Sequence, residues 1–317
     1  MATSVVTGGA GFIGTHLVRA LAARGMRVVV IDNLSSGSTG GIKDLIEDGK
    51  VTFHEIDIRD KDAMEKIFSG EESIIYHLAA DPRVKESVEQ PVDSFDQNVT
   101  GTLNLLEIMR AKHVPCMVFA SSGGTLYGDA SVFPTPETVP LLPISPYGAS
   151  KAAAEMYLSA YASSYGLKIA SLRFANIYGP GSGHGVMYDF YHKLQKDPTR
   201  LQILGDGKQS KSYLFVSDCI DACTLVGERL GQLKAGTFEY FNLGPRTCET
   251  VTDLATIMVD LMGLKGVAFE YTGGERGWTG DVVKNLLETS KIEQLGWKPR
   301  VGFKEGIKRY LDSLSRP

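Results

Sequence analysis

Short runs of β-branched and other apolar residues alternate with longer amphipathic segments through the first half of the chain. The runs that predict strands lie at residues 4–7, 28–31, 51–54, 73–77, 118–120 and 169–173. The segments that predict helices lie at residues 14–24, 60–68, 91–111 and 146–165. Strands and helices that alternate in this way form βαβ units with right-handed crossovers. The pattern therefore predicts an α/β protein with a Rossmann-type, doubly wound parallel sheet.

The pattern changes after Asn176, where glycine and proline mark turns at residues 178–185, 204–208 and 273–280. Glycine and proline at such spacing indicate turns between packed elements rather than a flexible linker. We therefore predict a first domain over residues 1–175. A smaller C-terminal α/β lobe is predicted over residues 176–317, partly interleaved with the first domain.

Composition narrows the class of protein. The 317 residues are 43% hydrophobic and 22% charged, as in ordinary globular proteins. A formal net charge of -4 without a dominant basic run argues against nucleic acid as a partner. The N-terminal segment has neither a signal-peptide pattern nor a long apolar stretch, so we predict no membrane association and a cytoplasmic location. Cys219 and Cys223 could form a redox pair or bind a metal, but small apolar core positions explain them better.

A glycine-rich segment, TGGAGFIG at residues 7–14, follows the first predicted strand and precedes a helix. Glycines are required where the strand turns sharply, where the backbone approaches a pyrophosphate, and where the helix N-terminus points its N–H groups at that anion. An ordinary tight turn is the alternative. Asp32 ends the second strand, where a carboxylate accepts hydrogen bonds from an adenosine ribose and repels a 2′-phosphate. The segment therefore predicts that residues 1–175 form an NAD-binding domain that disfavours NADP.

Tyr147 and Lys151 lie four residues apart in the segment SPYGASK, at the start of a predicted helix. This spacing places both side chains on one helix face. A tyrosine with its ordinary pKa of about 10 is a poor base at neutral pH, but a neighbouring ammonium and a nicotinamide ring favour the phenolate. The same spacing also occurs by chance on exposed helices. Together with the glycine-rich segment, it favours a catalytic pair.

The combination of a glycine-rich segment and Tyr-x-x-x-Lys resembles the extended short-chain dehydrogenase/reductase family, and the resemblance covers nearly the whole chain. Within that family the sequence is most similar to the UDP-glucose 4-epimerases, also called UDP-galactose 4-epimerases, and especially to their short archaeal type. The segments that carry this similarity are DNLS (32–35), DI (57–58), HLAA (77–80), NVTGT (98–102), RFANIYGP (173–180) and LGDG (204–207). The resemblance implies an NAD-dependent isomerase of galactose metabolism that interconverts UDP-glucose and UDP-galactose.

The resemblance also implies roles for individual residues. Tyr147 removes the proton of the sugar C4 hydroxyl while tightly bound NAD takes the C4 hydride, and the hydride returns to the opposite face of the 4-keto sugar. Lys151 hydrogen-bonds the nicotinamide ribose and lowers the pKa of Tyr147. The residues implied to bind NAD are Gly8, Gly11, Phe12, Ile13, Gly14, Asp32, Asn33, Leu34, Ser35, Ser36, Gly37, Asp57, Ile58, Leu78, Ala79, Ala80, Asn98, Ser121, Tyr147 and Lys151.

The chain departs from the family pattern at Gly123, which occupies the position of the usual catalytic Ser or Thr. Ser122 and Thr125 flank this position, and we predict Ser122 as the hydroxyl that assists catalysis and contacts the sugar, with Thr125 as the alternative. The alternative is that both serines, Ser121 and Ser122, only hydrogen-bond loop backbone. The family's dehydratases carry an Asp-Glu pair in this segment and its decarboxylating members carry a glutamate. Because residues 123–125 are Gly-Gly-Thr, epimerisation is favoured over both reactions.

The resemblance extends to a substrate site in the second lobe. Lys211 stands where relatives often have an arginine that meets the nucleotide diphosphate, although a lysine lacks the bidentate fork. Arg276 and Asp281 resemble a pair that binds phosphate and ribose, but their spacing is longer than in the common pattern. Asn176, at a strand end, and Val186 complete the predicted substrate-binding set with Ser122 and Tyr147.

The sequence alone leaves several alternatives open for the reaction that the protein catalyses. His77 and His184 lack partners at metal-ligand spacing, so we predict no metal. The enzyme could be another nucleotide-sugar epimerase, acting on UDP-N-acetylhexosamines or uronic acids, or a nucleotide-sugar oxidoreductase. A non-catalytic NAD-sensing regulator is a third hypothesis, which the intact Tyr147 and Lys151 disfavour. The resemblance further implies a homodimer that uses the helices predicted at residues 91–111 and 146–165.

Overall fold

The computed structural model describes residues 3–315, in which strands and helices alternate. The strands are β1 (Thr3–Thr7), β2 (Arg27–Asp32), β3 (Val51–Glu55), β4 (Glu72–His77), β5 (Cys116–Ser122), β6 (Lys168–Phe174), β7 (Asn176–Tyr178), β8 (Arg200–Ile203), β9 (Ser210–Lys211), β10 (Tyr213–Phe215), β11 (Phe238–Leu243), β12 (Glu249–Thr250) and β13 (Ala268–Tyr271). The α-helices are α1 (Phe12–Ala23), α2 (Lys43–Glu47), α3 (Lys61–Glu65), α4 (Glu86–Glu89), α5 (Pro91–Phe95), α6 (Gly101–Lys112), α7 (Pro146–Tyr165), α8 (Val186–Lys196), α9 (Val216–Leu230), α10 (Val251–Leu261), α11 (Ser290–Glu293) and α12 (Phe303–Leu314). A 3₁₀ helix spans Thr39–Ile42 and a π-helix spans Asp96–Thr100.

Seven strands form the central sheet in the order β11-β6-β5-β4-β1-β2-β3. The pairs β1–β2, β2–β3, β1–β4 and β4–β5 run parallel. Apolar residues such as Val5, Val28 and Ile75 are fully buried because both faces of a parallel sheet are covered by helices. Strands β2 and β3 are added on one side of β1, and β4 and the later strands are added on its other side. The strand order therefore reverses between β1 and β4, which is the switch point where ligands bind in folds of this kind. The predicted Rossmann-type α/β sheet is therefore confirmed.

The chain divides into two compact units, each built from three segments. Unit 1 comprises residues 1–122, 146–173 and 220–241, and unit 2 comprises residues 123–145, 174–219 and 242–317. This division is more interleaved than the predicted boundary after residue 175. Residues 123–145 belong to unit 2, and residues 220–241 return to unit 1, because β11 enters the central sheet beside β6.

The helices agree with the predictions to different degrees. Helix α7 has the bounds predicted for residues 146–165, and α1 begins two residues before its predicted start. Helix α3 ends at Glu65, before the predicted end at residue 68. The segment predicted as one helix over residues 91–111 is instead α5, the π-helix and α6. Between Thr3 and Ser315, none of the helices is long and apolar enough to cross a membrane.

Unit 2 is held together by three two-stranded sheets and by buried hydrogen bonds. Strands β7 and β10 pair in parallel, β9 pairs with β12 in antiparallel, and β8 pairs with β13 in parallel. The fully buried Asn242 side chain accepts a hydrogen bond from Tyr127 Oη (2.7 Å) and donates to the carbonyl of Thr135 (2.9 Å). These bonds satisfy polar groups that would be costly to bury unpaired.

Candidate active site

The glycine-rich turn lies between β1 and α1 in unit 1, at the switch point of the sheet. Gly8 has a φ of +72°, and a Cβ there would lie 2.6 Å from the backbone nitrogen of Ala79. A Cβ at Gly14 would lie 2.0 Å from the Gly8 carbonyl oxygen, and one at Gly37 would lie 2.3 Å from that of Ala10. The backbone of this turn therefore packs too closely for any side chain at these three positions.

The first turn of α1 suits an anion. Its N-cap residue is Gly11, no side chain caps the helix, and the first turn carries no acidic residue. The N–H groups at this end, including those of Phe12, Ile13 and Gly14, have no intrahelical partner by helix geometry. They combine with the helix dipole to favour a phosphate group.

The carboxylate of Asp32 organises the loop after β2. It accepts hydrogen bonds from the backbone N–H groups of Ala10 (2.9 Å) and Leu34 (2.8 Å), one at each oxygen. Each oxygen keeps a second lone pair that a ribose hydroxyl could use. Leu34 has a φ of +56°, which is unusual for a non-glycine residue and gives this loop a sharp turn.

Asp57 lies beside this loop and is held by three groups. Asn33 Nδ2 donates to it (2.9 Å), and so do the backbone N–H and the guanidinium of Arg59 (both 2.8 Å). The Arg59 hydrogen bonds hold the pKa of the Asp57 carboxyl well below its usual range. Asp57 is therefore ionised at neutral pH, and it can accept a hydrogen bond from a neutral donor.

Asn98 belongs to the π-helix and links three segments of unit 1. Its Oδ1 accepts from the Asp81 backbone N–H (2.8 Å), and its Nδ2 donates to the Asp81 carbonyl (3.3 Å) and to Ser150 Oγ (2.9 Å). Ser150 Oγ donates in turn to the Tyr147 carbonyl (2.8 Å). Asn98 thus ties the chain after β4 to the start of α7.

Tyr147 lies in the first turn of α7 and is half-buried. Its backbone N–H donates to Ser87 Oγ (3.1 Å), which satisfies one of the unpaired donors at the helix start. Burial raises the pKa of its hydroxyl to about 12, a hydrogen bond from Ser122 acts to lower it, and the charge of Asp81 raises it further. The sequence predicted a pKa lowered by Lys151, whereas in this structure desolvation is the largest effect.

Lys151 lies one helical turn beyond Tyr147 and is buried. Its ammonium donates to the Ala120 carbonyl (3.0 Å) and lies 4.8 Å from the centre of the Phe119 ring. Burial lowers the pKa of Lys151 to about 8, and the charge of Glu155 acts to raise it. Lys151 is therefore a cation below pH 8 that is anchored to β5.

The segment after β5 contains the hydroxyls that could assist Tyr147. Ser122 ends β5 and hydrogen-bonds Tyr147, so the structure brings together the two residues that the sequence analysis paired. Thr125 belongs to unit 2, and its carbonyl accepts from the Gly128 N–H (3.4 Å). Ser121 is buried, and its Oγ has no hydrogen-bond partner among the described residues.

These features fit a bound dinucleotide. The glycine turn leaves no room for a Cβ, the uncapped start of α1 suits a pyrophosphate, and Asp32 keeps acceptor capacity. The unpartnered Ser121 hydroxyl lies on the strand that anchors Lys151. All residues predicted to bind NAD lie in unit 1, including Ser35, Ser36, Ile58, Leu78 and Ala80.

Unit 2 holds the residues predicted to bind the nucleotide part of a substrate. The two cations among these residues, Lys211 and Arg276, are both paired with carboxylates. Lys211 Nζ donates to Asp281 Oδ1 (2.8 Å) and to the Val282 carbonyl. Arg276 makes a two-pronged ion pair with Asp129 (2.7 and 3.1 Å) and also donates to the Asp281 carbonyl. Lys211 is therefore a largely buried cation in an ion pair rather than a solvated surface charge.

Two other predicted substrate residues lie in unit 2 outside this hydrogen-bonded cluster. Asn176 is exposed at the start of β7, and its backbone N–H donates to the Ser212 carbonyl (3.1 Å). Val186 is half-buried and begins α8 after Gly185, whose φ is +92°.

His77 is held by threonine hydroxyls rather than by other side chains of the metal-ligand type. His77 is buried, hydrogen-bonds Thr7 (2.7 Å) and Thr102 (2.9 Å), and has its pKa lowered to about 3 by burial. It links neighbouring elements of unit 1 as a neutral side chain. Over residues 3–315, no group of three or more His, Cys, Asp or Glu residues could hold a metal ion.

Three contributors to the site were missed by the sequence analysis. Ser87 and Asp81 lie in the segment after β4; Ser87 accepts a hydrogen bond from the Tyr147 backbone, and the charge of Asp81 raises the pKa of Tyr147. The only sequence signal that could have indicated them is that this segment follows the HLAA motif. Glu155 lies on the buried face of α7 beside Ala154 and Leu158. A charged residue at such a position on an apolar face is the signal that could have found it.

The parallel sheet, the glycine turn at its switch point and the Tyr147–Lys151 pair on α7 define the class of extended short-chain dehydrogenases/reductases. A family model described as the NAD dependent epimerase/dehydratase family matches residues 4–244. The chain belongs to this family and depends on NAD.

The chain is similar over nearly its whole length to characterised members. The UDP-glucose 4-epimerase of Mycolicibacterium smegmatis is 35% identical over 314 residues, which are 98% of this chain and 97% of that protein. The crystal structure of UDP-glucose 4-epimerase with UDP-glucose from Thermotoga maritima has 36% identity and a TM-score of 0.89, with 98% of each chain covered. The structure of the Thermus thermophilus UDP-glucose 4-epimerase in complex with NAD has 37% identity and a TM-score of 0.87, again with 98% of each chain covered.

Proposed function

We propose that this chain is an NAD-dependent 4-epimerase that interconverts UDP-glucose and UDP-galactose through a 4-keto sugar. The observation that carries the proposal is the Tyr147 hydroxyl, which is hydrogen-bonded to Ser122 and lies one helical turn before the buried ammonium of Lys151. Full-length similarity to UDP-glucose 4-epimerases supports the same reaction.

The residues that would hold NAD are the glycine turn, Asp32, Asp57 and Lys151. When bound, NAD supplies the acceptor and donor of the C4 hydride, and the positive charge of its oxidised ring favours the Tyr147 phenolate. Lys151 adds a second positive charge, which acts against the effect of burial. Tyr147 can then take the proton of the C4 hydroxyl and return it after the sugar has turned, with Ser122 donating a hydrogen bond to the reacting oxygen.

The segment after Ser122 lacks the acid/base pair that eliminates a sugar hydroxyl group as water. Elimination of water by the family's dehydratases requires an acid/base pair, and residues 123–125 are Gly-Gly-Thr here. A chain without that pair can oxidise C4 and return the hydride, but it has no group in this segment to remove a second proton. This supports epimerisation over dehydration.

The UDP part of the substrate is assigned to unit 2. Lys211 and Arg276 are the cations, Asp281 fixes Lys211, and Asn176 and Val186 are proposed to contact the sugar nucleotide. Phosphate oxygens accept charge-assisted hydrogen bonds from both kinds of cation. Because Arg276 is paired with Asp129, a diphosphate that binds Arg276 must replace that carboxylate.

The proposal is tested by incubating the purified protein with UDP-galactose without added cofactor. Formation of UDP-glucose is expected, because NAD is regenerated in each cycle and remains bound. Absence of UDP-glucose would contradict the proposal. Conversion of UDP-N-acetylglucosamine or UDP-glucuronate alone would assign a different epimerase, and accumulation of NADH with added NAD would indicate an oxidoreductase.

Replacing Ser122 by alanine is expected to lower kcat by about 10- to 100-fold, because a hydrogen bond to a charged oxygen is lost. The fold is expected to survive, since only a hydroxyl at the end of β5 is removed. Thr125→Val is the matched variant, and we expect it to keep most of the activity. A larger loss in Thr125→Val than in Ser122→Ala would reverse the assignment.

We further propose that the enzyme is a homodimer that pairs through α5 and α7. These helices pack on each other and expose Val92 (76%), Phe95 (52%) and Met156 (55%). Large apolar side chains clustered in this way mark interaction surfaces, and a second copy of the same chain offers a complementary apolar face by symmetry.

Replacing Phe95 by glutamate is expected to convert the dimer to a monomer, because a charge would be buried in the proposed apolar interface. Light scattering after gel filtration measures the mass. Leu142→Glu is the control, since Leu142 is a comparably exposed apolar residue (69%) of unit 2. A wild-type protein that is already monomeric at micromolar concentration would refute the dimer.

The cytoplasm is the proposed location. All four cysteines are free thiols in the structure, and Cys116, Cys219 and Cys223 are buried. Free thiols are typical of proteins in reducing compartments. The cysteines at 219 and 223 thus match the core interpretation.

A further inference from the structure

A buried ion pair lies one helical turn beyond Lys151. The carboxylate of Glu155 is fully buried, and Arg173 Nη2 and Nε donate to it at 2.7 and 3.1 Å. Ser171 Oγ donates a further hydrogen bond at 2.7 Å. The Arg173 guanidinium lies 4.4 Å from the centre of the Tyr240 ring. All donors to Glu155 come from β6, so the carboxylate is fixed in position on α7.

A pair of this kind requires an explanation beyond stability. Desolvation offsets most of the attraction between two buried charges, and well-packed apolar side chains often stabilise a core as well. Lys151 and Glu155 are four residues apart on α7 and therefore share a helix face. The nearest cation on that face is thus the proposed catalytic ammonium.

The other groups around Lys151 cannot hold its charge as Glu155 does. On β5, the Ala120 carbonyl and the Phe119 ring are neutral. On β4, His77 is neutral, and its pKa is lowered partly by Lys151. Tyr147 on α7 is a neutral phenol until it acts as base, and Asp81 is paired with Arg83 (2.8 Å) and influences Tyr147. Glu155 is the carboxylate whose charge opposes the desolvation of Lys151.

We propose that Glu155, fixed by Arg173 and Ser171, is a positioning residue that keeps the Lys151 ammonium charged and in place for the action of Tyr147. The proposal rests on the proposed function for the role of Lys151. It assigns to the buried pair a catalytic consequence: removing the carboxylate narrows the pH range in which Lys151 can support the tyrosine.

Glu155→Gln is the first variant, since its amide oxygen can still accept from Arg173 while the negative charge is lost. We expect the alkaline limb of the kcat–pH profile to move to lower pH by about one to two units, because Lys151 would lose its proton earlier. Glu155→Asp keeps the charge and is expected to shift the limb less. Ser171→Ala keeps the carboxylate and is expected to leave the limb near its wild-type position.

Arg173→Gln provides the opposite change. It leaves the Glu155 charge without its partner cation, so the alkaline limb is expected to move to higher pH. Arg173→Lys retains a cation and is the matched control, for which the alkaline limb is expected to stay near its wild-type position. Opposite shifts in the Glu155 and Arg173 variants support electrostatic control of Lys151. Shifts in the same direction, or unchanged profiles in folded Glu155→Gln protein, would overturn the proposal.

A second measurement does not depend on turnover. The charge state of Lys151 can be followed directly by the 13C chemical shift of its Cε in labelled protein, and a Lys151→Met variant identifies the signal. Glu155→Gln is expected to move this titration to lower pH, because the ammonium loses the negative charge that opposes its desolvation. An unmoved titration would overturn the proposal even if the proposed epimerase activity were absent, so the two failures are distinguishable.

Discussion

Replacing Tyr147 by phenylalanine is expected to lower kcat by about 10²- to 10⁴-fold, which is the usual contribution of a positioned general acid and base. Phenylalanine keeps the ring and removes only the hydroxyl that hydrogen-bonds Ser122. The backbone N–H of residue 147 would still donate to Ser87 Oγ, so the start of α7 is expected to persist. KM for UDP-galactose should change much less than kcat, because the loss falls on the chemical step.

The matched control for this variant is Tyr161→Phe on the same helix. Tyr161 Oη donates to Glu107 (2.7 Å) and has no part in the proposed chemistry. We expect wild-type activity from Tyr161→Phe, together with a small loss of stability from the missing hydrogen bond. The initial rate of UDP-glucose formation measures both variants. Full activity in Tyr147→Phe would instead favour an NAD-sensing protein or a different catalytic base.

The sheet could be predicted from sequence because its signals are local. Each strand of unit 1 up to β6 is a short apolar run next to a turn, and Pro146 marks the start of α7. The π-helix at Asp96–Thr100 has no such signal, since its residues fit a continuous helical pattern. The wider turn presents Asn98 to Asp81 and Ser150, which are distant in sequence. Contacts between residues distant in sequence can stabilise a π-helix, but they leave no periodic pattern in the sequence that would predict it.

The sequence predicted which residues form the site better than it predicted their pKa values and their ion-pair partners. Tyr147, Lys151 and Ser122 could be chosen from motif and spacing, and the structure brings Tyr147 and Ser122 into contact. The direction of the Tyr147 pKa could not be predicted, because an i, i+4 cation is visible in sequence but the extent of burial is not. The partner of Lys211 was likewise unpredictable, since Asp281 is brought to it by a loop 70 residues further along the chain.

Replacing Gly14 by alanine is expected to destabilise the protein by about 3 kcal/mol or more, because overpacking against backbone cannot be relieved by a side-chain movement. The new Cβ would lie 2.0 Å from the Gly8 carbonyl oxygen and 2.7 Å from Gly9 Cα. The turn between β1 and α1 would have to open, so NAD content should fall together with stability. Urea unfolding and the NAD released from the purified protein measure the two effects.

The Gly11→Ala variant distinguishes an effect on NAD binding from an effect on the stability of the fold. Its Cβ would meet only the Gly8 carbonyl oxygen, at 3.3 Å, so the turn needs to shift by a few tenths of an ångström. The methyl group would nevertheless lie at the N-cap of α1, where the backbone is proposed to approach the pyrophosphate. We expect Gly11→Ala to keep most of its stability and lose much of its NAD, whereas Gly14→Ala loses both. Gly183→Ala, with open space around the new methyl, should change neither. Normal NAD content in folded Gly11→Ala would show that the cofactor does not approach the turn at this residue, and would place the anion elsewhere along α1.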